Sequence, residues 1–325
     1  MSNLLYFIHC VSPVHVGAGQ GVGIIDLPLM RERVTSWPYI PGSSIKGVLR
    51  HYCRQLGETQ YSKSQEILAF GKDPDDNNHK SDAAGLLAFT DSRLFAFPVA
   101  SRFGTFAYVS CPLAIKRLLR DAEAVNVPIE GLNPGMLEAI EQGIKENESS
   151  AFVGGIGASK VVHAEKSDKN DKSDVINKNN KNDKTFKIYI DEFEFDAYEN
   201  AELGRWIEAL SVVIFENPIS RKMFRERFIV VSDEAFQYFA EMCCEVVTRV
   251  KIGETGVVER GLWSEEYLPS ESILYGFIGV DAFRRPGQGD DSWLKPILQP
   301  LQLQMGGNAT VGQGRVNWVV RRANA

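Results

Sequence analysis

The chain has 325 residues, 44% of them hydrophobic and 24% charged, a composition that supports a sizeable core and excludes a disordered chain or a fibre. Its 42 acidic and 36 basic residues leave a net charge of −6, so a polyanionic partner must meet a local basic surface rather than the net field. Five cysteines without C-x-x-C spacing and five histidines without an H-x-x-x-H arrangement suggest neither a disulfide framework nor a zinc site, and any metal falls to carboxylates.

Leu4 to Val11 is aliphatic and aromatic and stops at Ser12-Pro13, as a first strand should. A glycine-dense loop follows. The pattern then turns helical from Ser43 to Leu56, with Pro41-Gly42 before it, Ser43 or Ser44 as N-cap and Gly57 to end it. At about 100° per residue, Val48, Leu49, Tyr52, Cys53 and Leu56 share one arc while Lys46, Arg50 and Arg54 form a cationic stripe on another. The polar loop 73–82 precedes an apolar strand pair over 85–99, and helices are expected over 114–124 and from Pro134 toward Lys145.

Between Lys166 and Lys184 the chain is almost wholly Lys, Asp, Asn and Ser, which predicts a disordered insertion. The flanks 152–157 and 185–190 are expected to pair across it. A helix over 201–215, a strand over 227–232 and a helix from Ser232 or Asp233 to about Glu245 come next. The β-branched runs 246–252 and 257–263, joined through Gly253 and Gly256, predict a hairpin. The close reads as a helix over 294–303, a glycine-rich loop over 305–315 and a last strand over 316–320. Neither the first residues nor any later run has the pattern of a secretory signal or a membrane span, so a cytoplasmic chain free of membranes is expected.

Neither glycine cluster completes a nucleotide-binding motif. Gly17 to Gly23 gives no G-x-G-x-x-G register before a helix, and Gly307 to Gly312 is followed by Gln313-Gly314 where a phosphate loop needs Lys and Ser or Thr. Such glycines serve turns at positive φ, or let a backbone approach phosphate oxygens closely. The stripe Lys46, Arg50, Arg54 is a solvated helix face or an anion site, the latter favoured by the helix N-terminus at Gly42, Ser43 and Ser44. Asp26, in Ile24-Ile-Asp-Leu-Pro28, is a turn residue or a reactive carboxylate. His15 beside Gly17 is structural or functional, and Glu265-Glu266-Tyr267 after Trp263 is a polar corner unless the fold gives it work.

Ser12-Pro-Val-His-Val-Gly-Ala-Gly-Gln-Gly-Val-Gly-Ile-Ile-Asp-Leu-Pro-Leu-Met-Arg-Glu32, then Trp37-Pro-Tyr-Ile-Pro-Gly-Ser-Ser-Ile-Lys-Gly-Val-Leu-Arg50, resembles the backbone-subunit family of the type III-B CRISPR effector, the Cmr complex, in the RAMP superfamily. Gly306 to Arg315 and Leu262 to Pro269 are similar to later blocks of that superfamily. The resemblance implies an α+β fold: one RAMP domain over 1–325 with a ferredoxin-like, RRM-type palm built from 1–60, 85–125, 185–245 and 290–325, an inserted fingers region, and a protruding thumb hairpin at 246–263. It implies copies stacked in a helical filament on CRISPR RNA, with other Cmr subunits and target RNA as partners. The target strand is then cut once per subunit.

By the same resemblance Asp26 is the cleavage carboxylate and the ligand of a divalent cation, Mg2+ or Mn2+, with His15, Glu265 and Tyr267 as further catalytic residues. RNA contacts fall on Gly42, Ser43, Ser44, Lys46, Arg50, Arg54, Gly306, Gly307, Gly312, Gly314 and Arg315. A guide-holding subunit that does not cut, and a freestanding endonuclease for CRISPR precursor RNA, are the alternatives.

Overall fold

The structure is a computed structural model and describes residues 2–21, 23–73, 84–127, 129, 131, 134–166, 184–281 and 291–322. The first half of the chain forms β1 (Ser2–Cys10), α1 (Gly42–Gln55), α2 (Lys63–Phe70), β2 (Leu87–Phe89), β3 (Arg93–Ser101), β4 (Thr105–Ser110), α3 (Pro112–Ala124), α4 (Pro134–Glu146), β5 (Ser150–Val153) and β6 (Val162–Lys166). Then come β7 (Lys184–Ile190), β8 (Phe193–Glu199), α5 (Ala201–Ile214), α6 (Pro218–Arg227), β9 (Phe228–Val230) and α7 (Asp233–Met242). The chain closes with β10 (Glu245–Ile252), β11 (Val258–Tyr267), β12 (Ile273–Val280), α8 (Lys295–Leu298), β13 (Leu301–Gln304) and β14 (Arg315–Arg322).

These elements form two compact units, one of residues 1–97, 114–128 and 237–325, the other of 98–113 and 129–236. The sequence reading had grouped 185–245 with the N- and C-terminal segments; most of that stretch instead belongs to the second unit.

In the first unit β1 is the central strand, antiparallel to β12 on one side and to β14 on the other. Its run Leu4 to Ile8 is at most 3% exposed, so both faces of the strand are covered, which explains the lack of polar alternation in its sequence. Tyr6 stacks on Trp318 of β14 with ring centroids 4.6 Å apart. β13 extends the sheet beyond β14, while β2 and the first residues of β3 pair with β12. Ile45, Leu49 and Cys53 of α1 are fully buried, placing the expected apolar arc inward. The arc is narrower than its sequence suggested, because Val48, Tyr52 and Leu56 are only half-buried.

β10 and β11 form a separate two-stranded antiparallel sheet. The turn closes where the sequence placed it, with Gly253 N–H donating to Val257 O at 2.8 Å. Val246, Ile252, Val257, Val258 and Leu262 are each more than half exposed, an apolar surface that two strands alone do not bury.

In the second unit β4 runs parallel to β9, which meets β5; β5 runs parallel to β8, and β8, β7 and β6 follow antiparallel. Trp206, Leu210, Phe224 and Ile229 are fully buried there. Lys184–Ile190 pairs with Val162–Lys166, not with 152–157 as expected, because Ser150–Val153 is already taken by β8. The expected insertion over 166–184 lies, for residues 167–183, outside the described residues.

Three further expectations change. α6 falls where none was expected, although Asn217 caps it through Ile219 N–H at 2.7 Å and Pro218 occupies its first position, both start signals. The helix expected over 294–303 shortens to α8 and becomes strand at Leu301, since Pro300 cannot continue a helix. α1 starts without a side-chain cap: Pro41 is its N-cap, so Ser43 and Ser44 lie inside the helix.

Candidate functional site

The first glycine-rich loop folds back on itself. Ala18 N–H donates to Pro28 O at 2.9 Å and Gly21 N–H to Asp26 O at 2.8 Å, which brings Asp26 to an exposed position at the return of the loop. The returning limb lies along β11. Leu27 N–H donates to Ser264 O at 3.0 Å, and Glu266 N–H donates to Leu27 O at 3.0 Å.

The Asp26 carboxylate is held by one residue. Its Oδ2 accepts the backbone N–H of Ser264 at 2.8 Å and the Ser264 hydroxyl at 2.9 Å, while the Asp26 N–H donates to Ser264 Oγ at 3.0 Å. The Ser264 backbone donor, then its hydroxyl, hold the Asp26 carboxyl below the usual carboxylate range. Asp26 is therefore an exposed, ionised carboxylate with Oδ1 turned to neither donor.

Glu266 anchors the same limb from within. Its Oε2 accepts Leu29 N–H at 2.8 Å and its Oε1 accepts Arg31 Nη2 at 2.5 Å. Arg31 in turn reaches the carbonyls of Ser36 and Ala240.

Glu265 points elsewhere, into a polar cluster. Its carboxylate accepts Arg249 Nε at 2.6 Å, Trp263 Nε1 at 2.8 Å, Asn308 Nδ2 at 2.8 Å and the Tyr267 hydroxyl. Burial pushes the Glu265 carboxyl up, but the hydrogen bonds from Tyr267, Trp263 and Arg249 outweigh it and keep the group below its ordinary range. Glu265 and Tyr267 are 5% and 0% exposed. The polar side-chain atoms of both residues, expected as catalytic, are engaged within this cluster.

His15 stands beside them, its ring centroid 5.4 Å from that of Tyr267. His15 Nδ1 lies 2.7 Å from Glu266 O. A carbonyl only accepts, so Nδ1 carries the proton and Nε2 is left to accept or donate. A Cβ on Gly17 would sit 2.8 Å from that Nε2, so glycine there leaves the nitrogen its space.

The C-terminal glycine loop closes against the same surface. Gly306 has φ +79°, and a Cβ on it would lie 2.1 Å from His15 O; Gly307 N–H donates to that oxygen at 3.0 Å. Gly314 N–H donates to Pro13 O at 2.8 Å and Gly312 N–H to Ala309 O at 3.0 Å. The amides of Gly307, Gly312 and Gly314, expected to face phosphates, are thus already engaged by protein carbonyls, and the glycines serve the close approach of two loops. Arg315 is exposed and has no ion-pair partner among the described residues.

The stripe on α1 also changes character. Arg50 Nε and Arg54 Nε donate to Glu66 Oε1 at 2.6 and 2.8 Å, and Arg54 Nη2 reaches Asp73 at 2.9 Å. Burial pushes Glu66 up, yet Arg54, Arg50 and Lys63 together bring it down to about 2. Arg50 and Arg54 are therefore ion-pair residues that fix α2 on α1, not open phosphate ligands. Gly42, too, is corrected: its N–H donates to Asp91 Oδ1 at 2.8 Å and its missing Cβ accommodates Phe89 O. A carboxylate already fills that helix N-terminus. Lys46 has no ion-pair partner among the described residues, and Ser43 is exposed.

The donor set does not make a metal cage. Among the described residues no group of three or more His, Cys, Asp or Glu is arranged to hold an ion, and Asp26 offers one uncommitted oxygen. The residues that sequence reasoning did not single out are Ser264, Arg249, Asn308 and Arg31. Ser264 and Asn308 lie inside quoted blocks, but their partners are 238 and 43 residues away, a distance no local pattern bridges.

The model of the RAMP superfamily matches residues 7–317. A Pyrococcus furiosus protein named CRISPR system Cmr endoribonuclease Cmr4 is 31% identical over 321 residues, 97% of this chain and 95% of that protein. The chain belongs to the RAMP superfamily and, within it, to the Cmr4 family. A Cmr4 subunit of Saccharolobus solfataricus is 25% identical over 96% of this chain and 94% of its own length. The crystal structure of oligomeric Cmr4 from Pyrococcus furiosus matches all of both chains with a TM-score of 0.65 at 23% identity. A chain of a type III-B Cmr-beta complex bound to cognate target RNA matches with a TM-score of 0.65 at 20% identity, over 98% of this chain and 96% of that one. Both structures share the fold of this Cmr4-family chain.

Proposed function

We propose that this chain is the CRISPR RNA-binding filament subunit of a type III-B RNA-guided interference complex, and that it cleaves bound target RNA at regular intervals, one site per subunit. The observation that carries this reading is the joining of both Asp26 and His15 to β11, through Ser264 and Glu266, in a chain so similar to a named Cmr endoribonuclease. The finer architecture belongs to the same reading: the β1-centred sheet as a ferredoxin-like, RRM-type palm, the second unit as fingers, and β10–β11 as the thumb. Its partners are CRISPR RNA, target RNA, further copies of itself and other Cmr subunits, in the cytoplasm. No described helix is long and apolar enough to cross a membrane.

Cutting RNA needs an activated oxygen nucleophile, most simply the adjacent 2′-hydroxyl, aligned with the phosphorus, and charge stabilised on the phosphate oxygens. The ionised Asp26 accepts the 2′-hydroxyl proton at Oδ1 while Ser264 holds Oδ2. In its imidazolium form His15, its Nδ1–H given to Glu266 O, donates the Nε2 proton to the leaving 5′-oxygen, so the P–O5′ bond breaks as the 2′-oxygen bonds phosphorus. Few groups take part, so orientation of a bent target strand supplies most of the rate. Asp26 would hold a divalent cation, Mg2+ or Mn2+, in this reading, and the ion would supply polarisation of the phosphate.

Guide contacts in this reading come from Lys46, Arg315, Ser43 and Ser44, reading phosphates and not bases. The apolar tip of β10–β11 is suited to pressing against unstacked bases. The test is reconstitution with the other complex subunits, CRISPR RNA and labelled target RNA. Products at even spacing support the reading. An intact target in a fully assembled complex contradicts it, and cutting of precursor repeat RNA by the isolated chain replaces it with the freestanding endonuclease.

A further inference from the structure

We infer that Ser264 is the positioning residue of the cleavage carboxylate: it aims Asp26 and ties the position of the cut to the second strand of the exposed hairpin. The inference rests on the cleavage reading above and adds a residue to it.

The geometry is reciprocal. Asp26 and Ser264 exchange three hydrogen bonds, N–H to Oδ2 at 2.8 Å, Oγ–H to Oδ2 at 2.9 Å and Asp26 N–H to Oγ at 3.0 Å. The hydroxyl has a single proton and two acceptors nearby, Asp26 Oδ2 and Ile24 O at 3.4 Å. The shorter bond to a full negative charge takes it. With both Ser264 donors on Oδ2, Oδ1 is left uncommitted by Ser264, and the carboxylate is held in one rotation.

No other side chain among the described residues supplies this control. Between Val16 and Met30 the loop contains no charged residue besides Asp26 itself. From β11, Glu265 is turned to Arg249, Tyr267 and Asn308, and Glu266 to Leu29 N–H and Arg31. From β10, Arg249 is engaged by Glu265 and the Tyr267 hydroxyl. His15 is held on Glu266 O. Ser264 is thus the sole described group that touches the Asp26 carboxylate.

The coupling to the hairpin follows from register. Ser264 pairs with Thr248 of β10, and the flanking Leu27 and Glu265 form a parallel bridge. A displacement of β11 therefore carries Asp26 with it, so the distance between the hairpin's contact on the duplex and the reacting phosphate is set by one side chain and one short stretch of paired backbone.

The test compares wild type, Ser264→Ala, Ser264→Thr, Asp26→Asn and the double variant Ser264→Ala with Asp26→Asn in assembled complexes, with single-turnover target cleavage and target binding measured side by side. Loss of the hydroxyl is expected to lower the Ser264→Ala cleavage rate about three- to ten-fold with target binding unchanged; Thr restores the rate, and the double variant cuts no more slowly than Asp26→Asn. Equal rates for Ala and wild type would overturn the inference, as would a loss that Thr does not restore. A separate readout is independent of cutting: the Asp26 N–H donates to Ser264 Oγ, so its hydrogen exchange in the full chain speeds up in Ser264→Ala, and an unchanged exchange rate overturns the inference. Should Asp26→Asn cut at the wild-type rate while that exchange still changes, the cleavage reading falls and the Ser264 tether stands.

Discussion

Asn308 and Glu265, 43 residues apart, meet at 2.8 Å between the Asn308 amide nitrogen and Glu265 Oε2. Asn308 adopts a left-handed backbone, φ 63°, which asparagine tolerates better than most residues. Its amide also reaches the Tyr267 hydroxyl at 2.7 Å. One side chain thus joins the C-terminal glycine loop to the buried end of β11.

Replacing Asn308 by Asp sets a second carboxylate against Glu265. The like charge raises the introduced carboxyl above its unfolded value and lifts Glu265 from its depressed one, so the penalty is present at neutral and alkaline pH and is relieved as pH falls through the raised value. Denaturant unfolding at pH 8 is expected to show a loss of about 1–3 kcal/mol, shrinking toward pH 5. A pH-independent difference would contradict the account.

Glu66 gives the opposite sign. Its folded pKa is depressed to about 2, so its contribution to stability is complete above about pH 4.5 and disappears as pH falls toward 2. The shift sets an upper limit of about 3 kcal/mol, and solvent around Arg54 and Lys63, 41% and 38% exposed, reduces this to about 1–2 kcal/mol. Glu66→Gln is expected to lower the melting temperature at pH 7 and to flatten the stability loss between pH 4 and 2. Melting curves over that range measure both.

The two ends of the α1 stripe should separate experimentally. Lys46→Ala is expected to weaken guide RNA binding alike for unrelated sequences and to reduce the salt slope by about one, with little change in melting temperature. Arg50→Ala, which leaves Glu66 with Arg54 and Lys63 alone, is expected to lower the melting temperature and leave the salt slope intact. Filter binding at several salt concentrations, with melting curves in parallel, decides it.

Gly306 and Gly312 share positive φ but differ in surroundings. A Cβ at 306 meets His15 O at 2.1 Å, whereas nothing lies within 4 Å of one at 312. Gly312→Ala should cost about 1 kcal/mol of backbone strain with target cleavage retained. Gly306→Ala should cost more and slow cleavage, because it displaces the segment that carries His15. Unfolding and cleavage measured on both variants separate strain from contact.

Legibility in the sequence followed locality. α1, α3, α5 and the β10–β11 hairpin carried their own apolar period or turn residues, and their bounds fell within a few residues of expectation. β12 was not seen because Ile273 to Tyr275 are buried on both faces and so show no alternation. β13 lies where the sequence pattern predicts helix, and Pro300 is what ends that helix before it. The site divides in the same way. Asp26, His15 and the 264–267 block stood out through short motifs, but Arg50 and Arg54 looked free because Glu66 lies on the next helix. Gly307 and Gly314 look like parts of a phosphate cradle because the carbonyls that bind their amides belong to His15 and Pro13, at the other end of the chain.

The measurement that tests the central claim most directly is single-turnover cleavage of target RNA by the assembled complex with Asp26→Asn, alongside guide and target binding. The account expects cleavage to fall roughly 100-fold or more at every site, with both binding steps within about two-fold of wild type. Cleavage within a few-fold of wild type, in a complex that binds normally, would contradict it.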